Sequence, residues 1–494
     1  MIMWMYVDVY GKQKPMKRRD FIKLTGAGLV GISMCSGRKY WPQRHPPNLL
    51  FVFPDQMRGS AMGFLGEEPV NTPMLDQFAR ESVVLPEAVS TYPLCSPARA
   101  TLMTGQYPHK NGVLQNCRKG RANQLSVNTR CWSDVLADKG YSLGYIGKWH
   151  LDAPHPPYIL PNFKWNEWCP PHRRHGFDFW YGYGGYSDHF QPLYWGPAAA
   201  RDEYHFVKQW GAEHDADMAI RYIRNEDGLY RKEDQPFALV VSINPPHPPY
   251  SKVPKKYVKP YEEMSLEDLC SRPNIPPATF PMGKRYRKNI RYYYAAISGV
   301  DEQFGRILRT LDEAGLVEDT IVVFTSDHGD LLGIHNKRSK NNIYEESFRV
   351  PFLIRWPGHL QPGSNSLLFA SPDVYPTLLG LMGFKDNIPS SVQGTDYSSA
   401  LLGQMADEPE GQLYYGPGAI RHWGWRNERY KLEVIRHKAD QEVIRLFDRV
   451  NDPYELENIA LQNDALVQQL RIAMNRKLQE IGDPWAPNLQ ASPV

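Results

Sequence analysis

Cysteine is scarce, with six in 494 residues. That is too few to staple a disulfide scaffold, so stability must come from a buried core. No apolar run approaches the roughly eighteen residues of a membrane-spanning helix, which excludes a polytopic membrane protein. Charge of one sign is lacking too: 57 basic residues face 54 acidic ones, for a net +3. Composition therefore makes no case for nucleic-acid binding. Internal repeats and low-complexity tracts are absent. What is present looks globular, since 42% hydrophobic and 22% charged residues argue against wholesale disorder. The length suits one large α/β domain or two to three ordinary ones. Abundant proline (42) and tyrosine (29) point to long, pinned, aromatic loops on a scaffold.

Near the start, Lys17-Arg18-Arg19-Asp20-Phe21-Ile22-Lys23 precedes a mildly apolar stretch, Leu24 to Met34, and then Cys35. A twin arginine ahead of such a stretch resembles a bacterial twin-arginine export signal. The expectation is an exported protein, periplasmic or lipid-anchored at the cell envelope through Cys35. Disulfides are then allowed, and Cys117 with Cys131 is a candidate pair.

Short apolar runs after Pro46-Pro47 read as strands buried on both faces: Asn48 to Phe53, Tyr141 to Ile146, Phe237 to Ile243 and Thr320 to Thr325. Amphipathic stretches lie between them, at Thr72 to Glu81, Ser133 to Lys139, Asp215 to Arg224 and Lys288 to Ala314. The alternation predicts an α/β fold with a large, mostly parallel, doubly wound sheet. The tail differs. Polar strands at Tyr430 to Ile435 and Val443 to Phe447, then a helix over Asp464 to Ile481, predict a small antiparallel sheet with one helix. The expected division is 1–40 export signal and linker, 46–405 catalytic domain, and 410–494 C-terminal subdomain.

In open α/β sheets ligands sit beyond the carboxyl ends of the strands. Here those ends read Pro54-Asp55-Gln56, Gly147-Lys148-Trp149-His150, Asn244-Pro245-Pro246-His247 and Ser326-Asp327-His328-Gly329-Asp330. One polar end means little. Together they imply a shared site. Asp55, Asp327 and His328 suit a divalent cation, although each alone is more often a cap or a turn former. Proline-flanked His247 reads equally as a restrained catalytic imidazole or a rigid turn.

The sharpest feature is Cys95-Ser-Pro97-Ala-Arg99, running on to Thr104-Gly105. Pro97 and Gly105 bracket a short helix with Cys95 at its N-terminus, where the dipole favours an anion. Arg99, four residues on, shares a face with it.

With these residues the chain resembles the sulfatase family, whose fold is alkaline-phosphatase-like. The matching motifs are Cys95-x-Pro97-x-Arg99, Gly147-Lys148-Trp149-His150-Leu151, Pro246-His247-Pro248-Pro249-Tyr250, Ser326-Asp327-His328-Gly329 and Tyr344-Glu345-Glu346-Ser347. They stand in the family's order across roughly residues 46 to 400. The tail, with Leu446-Phe447-Asp448 and Asn451-Asp452-Pro453, resembles the family's C-terminal subdomain.

The resemblance implies that Cys95 is converted by a formylglycine-generating or anaerobic sulfatase-maturing enzyme to formylglycine. Its hydrated aldehyde would attack sulfur. Arg99 would steady that diol. Asp55, Gln56, Asp327 and His328 would hold the metal, calcium by family habit, with magnesium or manganese as alternatives. Lys148 and Lys340 would bind sulfate, His247 would protonate the leaving alcohol, and His150 would take the second diol proton so that sulfate is released. The chemistry is self-consistent: an anionic ester needs cations before a nucleophile can approach, and a sugar alkoxide needs an acid to leave.

The chain departs from the commonest family pattern at several points. Gln56 stands where a second aspartate is frequent, His328 where Asn is frequent, and Ala98 where Ser is frequent. The stretch Gly333 to Lys340 lacks the usual glycines, which makes Lys337 a substitute for Lys340. Two other readings are a phosphonate monoester or phosphodiester hydrolase on the same site and a catalytically silent sugar-binding homologue. The aromatic and basic segment 163–210, including Trp165, Trp168, Trp180, Tyr181, Tyr183, Tyr186, Tyr194, Trp195, His172, Arg173, Arg174 and His175, suits a sulfated carbohydrate or anchors a long loop.

Overall fold

The computed structural model describes residues 5–7, 13–15, 46–158, 164–405, 407–416, 421–437, 441–484 and 486. The chain divides into two units, Met1–His45 and Pro46–Val494. In the first, Met5–Val7 pairs antiparallel with Gln13–Pro15. The twin-arginine segment and Cys35 lie outside the described residues. Among the described residues no helix is long and apolar enough to cross a membrane.

The second unit is built on an eight-stranded sheet. Its strands are β1 (Asn48–Asp55), β2 (Val83–Val84), β3 (Ser142–Lys148), β4 (Phe179–Tyr183), β5 (Phe237–Pro246), β6 (Thr320–Thr325), β7 (Phe352–Arg355) and β8 (Gly363–Ser364). They lie in the order β8-β2-β7-β6-β1-β5-β3-β4. The run from β6 through β1, β5 and β3 to β4 is parallel throughout. Strand β7 enters antiparallel to both β6 and β2, so the sheet is mixed at one side.

Alternation within β1 explains why both faces are covered. Leu50 and Val52 pack on one core, and Leu49, Phe51 and Phe53 on the other. The first core takes helices α1 (Pro73–Arg80), α4 (Gly211–Arg224) and α5 (Pro281–Glu313); the second takes α2 (Cys95–Thr104), α3 (Trp132–Asp138) and α6 (Val374–Leu381). In α5 the buried residues Tyr286, Ile290, Tyr293, Ile297, Val300, Phe304, Ile307 and Leu311 recur at helical spacing. That helix starts at Pro281, ahead of the expected Lys288, because proline at the first turn loses no hydrogen bond. The basic residues in its first turns, 284–291, are only partly solvated. Lys284 and Lys288 are exposed, whereas Arg287 and Arg291 donate to the carbonyls of Pro276 and Tyr261.

The tail forms an antiparallel sheet of β9 (Gln412–Tyr415), β10 (His422–Arg426), β11 (Tyr430–Arg436) and β12 (Glu442–Asp448), covered by α7 (Asp464–Glu480). Tyr92 and Tyr107 join its apolar cluster, and buried Arg426 pairs with Glu87 and Glu345. The C-terminal sheet is thereby tied to the segments that flank α2 and to the Tyr344 motif.

One expectation needs correction, and one open alternative is decided in favour of loop anchoring. Cys117 and Cys131 do not pair; all the cysteines among the described residues are free thiols. Most of the 163–210 segment is structural: Trp180, Tyr181, Tyr183, Tyr194 and Trp195 are buried. Three of its four named basic residues are engaged as well, while His172 is exposed. Arg173 binds Asp152, Arg174 donates to the carbonyls of Cys169 and Pro197, and His175 bonds Asp134. Only Trp165, Trp168 and Tyr186 of the named aromatics keep exposed surface.

Candidate active site

Asp55 and Lys148 are the last residues of β1 and β3, and His247 follows the end of β5. Asp327 and His328 lie just beyond β6. Parallel register brings these ends to one edge. The turns leaving them are tight, with Gln56 (φ 73°) and His150 (φ 56°) in the left-handed region that non-glycine residues enter at a strain cost. Gly147, before Lys148, has φ 96°, and a Cβ there would lie 2.2 Å from the Ser242 carbonyl oxygen.

Cys95 opens α2, which is buried along its whole length. Its Sγ lies 2.9 Å from Lys340 Nζ, 3.4 Å from His328 Nε2 and 3.9 Å from Asp55 Oδ1. Burial and Asp55 push the thiol pKa up, but Lys340, Lys148 and His328 prevail and hold it well below the usual range. Lys337 is exposed, so Lys340 is the lysine at the site.

Arg99 is a four-bond bracket. Nε donates to Asp327 Oδ2 (3.0 Å) and Nη2 to Asp55 Oδ2 (2.9 Å). Nη1 donates to the Lys148 carbonyl (2.6 Å) and to Ser242 Oγ (2.8 Å). Lys148 Nζ reaches Asp55 Oδ2 at 2.7 Å. Burial opposes ionisation of Asp55, yet Lys148, His247, Lys340 and Arg99 hold its carboxyl well below the usual carboxylate range. Asp327 goes the other way: burial, and then the neighbouring Asp55, push it up to about 6.

These groups fit a hard divalent cation. Ligand atoms of Asp55, Cys95, Asp327 and His328 all lie within 4.8 Å of one another, and all four residues are buried. His328 Nδ1 donates to the Gly329 carbonyl at 2.9 Å, which leaves Nε2 turned to the cluster. The Gln56 amide is oriented by its nitrogen, which donates to Asp330 Oδ2 (2.6 Å) and Ser339 Oγ (2.9 Å). Its Oε1 therefore faces inward, where it accepts from Lys340 Nζ at 2.6 Å. A positive charge, the Lys340 ammonium, already stands among these donors.

The two remaining imidazoles flank Cys95. His247 Nδ1 donates to the Pro248 carbonyl at 2.7 Å, and burial, then Lys148 and Lys340, push its pKa down to about 3. His150 Nε2 donates to the Cys117 carbonyl at 3.1 Å, leaving Nδ1 buried and unpartnered beside Cys95. The structure thus gathers Cys95, Arg99, Lys148, His150, His247, Lys340, Asp55, Gln56, Asp327 and His328 at one sheet edge.

Several supporting residues were not assigned roles from sequence. Ser242 accepts from Arg99. Asn244 Oδ1 lies 3.4 Å from Lys148 Nζ, and its amide nitrogen donates to the Tyr186 carbonyl. His189 Nε2 donates to the His247 carbonyl at 2.6 Å, and Asp330 also accepts from Tyr250 at 2.6 Å. Asn244 and Asp330 stand in strand-end motifs and were within reach of sequence reasoning. Ser242 and His189 carry no such signal.

The family model described as Sulfatase matches residues 47–384, and that of the N-sulphoglucosamine sulphohydrolase C-terminal region matches 333–483. An endo-4-O-sulfatase of Bacteroides thetaiotaomicron is 37% identical, covering 90% of this chain and 94% of the relative. An ulvan-active sulfatase of Formosa agariphila is 34% identical over 89% of this chain and 82% of its own. A solved structure of a candidate sulfatase, yidJ, from Bacteroides fragilis is 45% identical with a TM-score of 0.86, covering 91% of this chain and 99% of that one. The motifs at the sheet edge, the family match over most of the chain and the near full-length relatives agree: this protein belongs to the sulfatase family and is a sulfuric ester hydrolase.

Proposed function

We propose that the chain hydrolyses sulfate esters of a sulfated carbohydrate, with formylglycine made from Cys95 and a divalent cation held by Asp55, Gln56, Asp327 and His328. The observation that carries this reading is the setting of Cys95. It opens a buried helix and is ringed by Lys340, His328 and Asp55. The donor set, mostly oxygen with one imidazole, suits calcium, with magnesium or manganese as alternatives. The ulvan-active relative's name favours a carbohydrate substrate.

When bound, the cation would polarise a sulfate oxygen, and the formylglycine hydrate would supply the hydroxyl that attacks sulfur. The chain's own residues do the rest. Lys148 and Lys340 neutralise the ester's charge so that a nucleophile can approach. Arg99 locks Asp55 and Asp327 in one geometry. His247 delivers a proton to the departing alcohol. Its depressed pKa reflects burial beside two ammonium groups, and an anionic ester seated between them offsets the repulsion. His150 Nδ1, unbonded and close to residue 95, accepts the proton that releases sulfate. A maturing enzyme acts before this cycle, and the twin-arginine segment supports export to the periplasm or cell envelope.

The test is the mass of the Cys95 peptide after co-expression with a sulfatase-maturing enzyme. An aldehyde in place of the thiol is expected. An intact thiol, with a control substrate converted in the same cells, would overturn the formylglycine mechanism.

A further inference from the structure

One open cleft among the described residues lies apart from Cys95. It measures about 520 Å³ and is lined by Asp188, Phe190, Gln191, Lys208, Gln209 and Lys252, together with buried Trp210. Its size suits one or two sugar rings.

Two loops that pass the catalytic edge also supply walls of the cleft. The loop after β4 passes His150 at Gly185, where a Cβ would come within 2.9 Å of the imidazole. It then offers the Tyr186 carbonyl to Asn244 and the His189 ring to the His247 carbonyl. Asp188 and Phe190, on either side of His189, line the cleft. The loop after β5 carries His247 and, five residues on, Lys252, which also lines the cleft.

Its chemistry is that of anionic-sugar recognition. Phe190 is 37% exposed and presents a ring on which a pyranose can stack. Lys252 Nζ lies 5.9 Å from that ring's centroid and 3.8 Å from Asp188. Lys208 adds a second, exposed ammonium, so the lining carries more positive than negative charge. Gln209 is held rigid by His214 and Asp217, and buried Trp210 donates to the Lys252 carbonyl, which fixes that lysine's backbone. None of the residues around Cys95 lines the cleft, so it cannot hold the sulfate being cleaved.

We propose that this cleft is a subsite for a second, anionic sugar residue of the substrate, stacked on Phe190 with its carboxylate or sulfate on Lys208 and Lys252. The inference rests on the carbohydrate reading above and adds that the substrate is an oligosaccharide rather than a monosaccharide sulfate.

The test compares the mature wild type with Lys208→Ala/Lys252→Ala and Phe190→Ala on 4-nitrophenyl sulfate and on size-graded sulfated glycosaminoglycan and algal oligosaccharides. Both variants should retain wild-type turnover of the aryl sulfate. On tetrasaccharides and longer substrates kcat/KM should fall about tenfold, mainly through KM, or about 1.4 kcal/mol of binding. Uronate-reduced substrates separate the two anions: a matching loss assigns the carboxylate, and none assigns the sulfate. An unchanged kcat/KM on the oligosaccharides, or an equal fall on the aryl sulfate, overturns the subsite. A wild type that turns over the aryl sulfate and no sulfated carbohydrate overturns the carbohydrate reading itself.

Discussion

Replacing Arg99 by lysine keeps the charge and removes the fork. The guanidinium holds Asp327 through Nε and Asp55 through Nη2, on separate nitrogens aimed at separate carboxylates. One ammonium on a flexible stem retains only one of them. The Lys148 carbonyl suffers little, because Tyr145 and Ser242 also donate to it. The principal losses are one charge-assisted hydrogen bond, about 1.5–3 kcal/mol, and the contact with Ser242, about 1 kcal/mol. Both sit in a site buried to 2% exposure or less, so solvent does not soften them. The expected effect is about 3 kcal/mol, or roughly a 200-fold drop in kcat/KM. The assay is turnover of 4-nitrophenyl sulfate by enzyme co-expressed with a sulfatase-maturing enzyme and supplied with divalent cation, with circular dichroism to verify the fold. A variant within about threefold of wild type would show that bridging the two carboxylates is not what Arg99 contributes.

Other substitutions probe separate links. His247→Ala should slow alkyl sugar sulfates at least about a hundredfold more than 4-nitrophenyl sulfate, because a nitrophenolate leaves without a proton; equal losses would remove His247 from the acid role. Gly147→Ala places a Cβ 2.2 Å from the Ser242 carbonyl at φ 96°. It should lower stability by about 3 kcal/mol and displace Lys148, read as a reduced urea midpoint together with a reduced kcat. His214 tests pH linkage away from the site. Burial pushes its imidazole down to about 4 from 6.5, and its Nε2 lies 3.0 Å from the Tyr181 hydroxyl. The unfolded chain binds that proton more tightly, so the stabilisation is present above pH 6.5 and lost as pH falls toward 4. His214→Gln keeps an acceptor for Tyr181 and should shrink the stability lost between pH 7 and pH 5 by about 1 kcal/mol in urea titrations; an unchanged difference would clear His214 of that role.

Much of the site was legible in local patterns. The apolar runs ending in Asp55, Lys148, Asn244 and Asp327 marked both the strands and their chemistry, because residues buried on two faces must be apolar and the strand must then exit into a polar loop. Cys95-x-Pro97-x-Arg99 ahead of Gly105 carried its helix, its cap and its reactive end within eleven residues. The short strands β2, β4, β7 and β8 were not legible, since two to five residues hold too little periodicity to register. The antiparallel entry of β7 depends on pairing with strands distant in sequence.

What the sequence determined by itself was the sheet's parallel core, the motifs at its edge and the family. Tertiary structure alone decided which chemical groups meet. It chose Lys340 over Lys337 by placing one ammonium on Cys95 and the other in solvent. It turned the Gln56 oxygen inward through Asp330 and Ser339, which lie 274 and 283 residues away. It spent most of the aromatic segment on packing and left Phe190, beside His189, at the wall of an open cleft. The reason is physical: burial and turn chemistry act over a few neighbours and leave a trace in composition, whereas convergence of side chains is set by strand register and loop path across the whole chain.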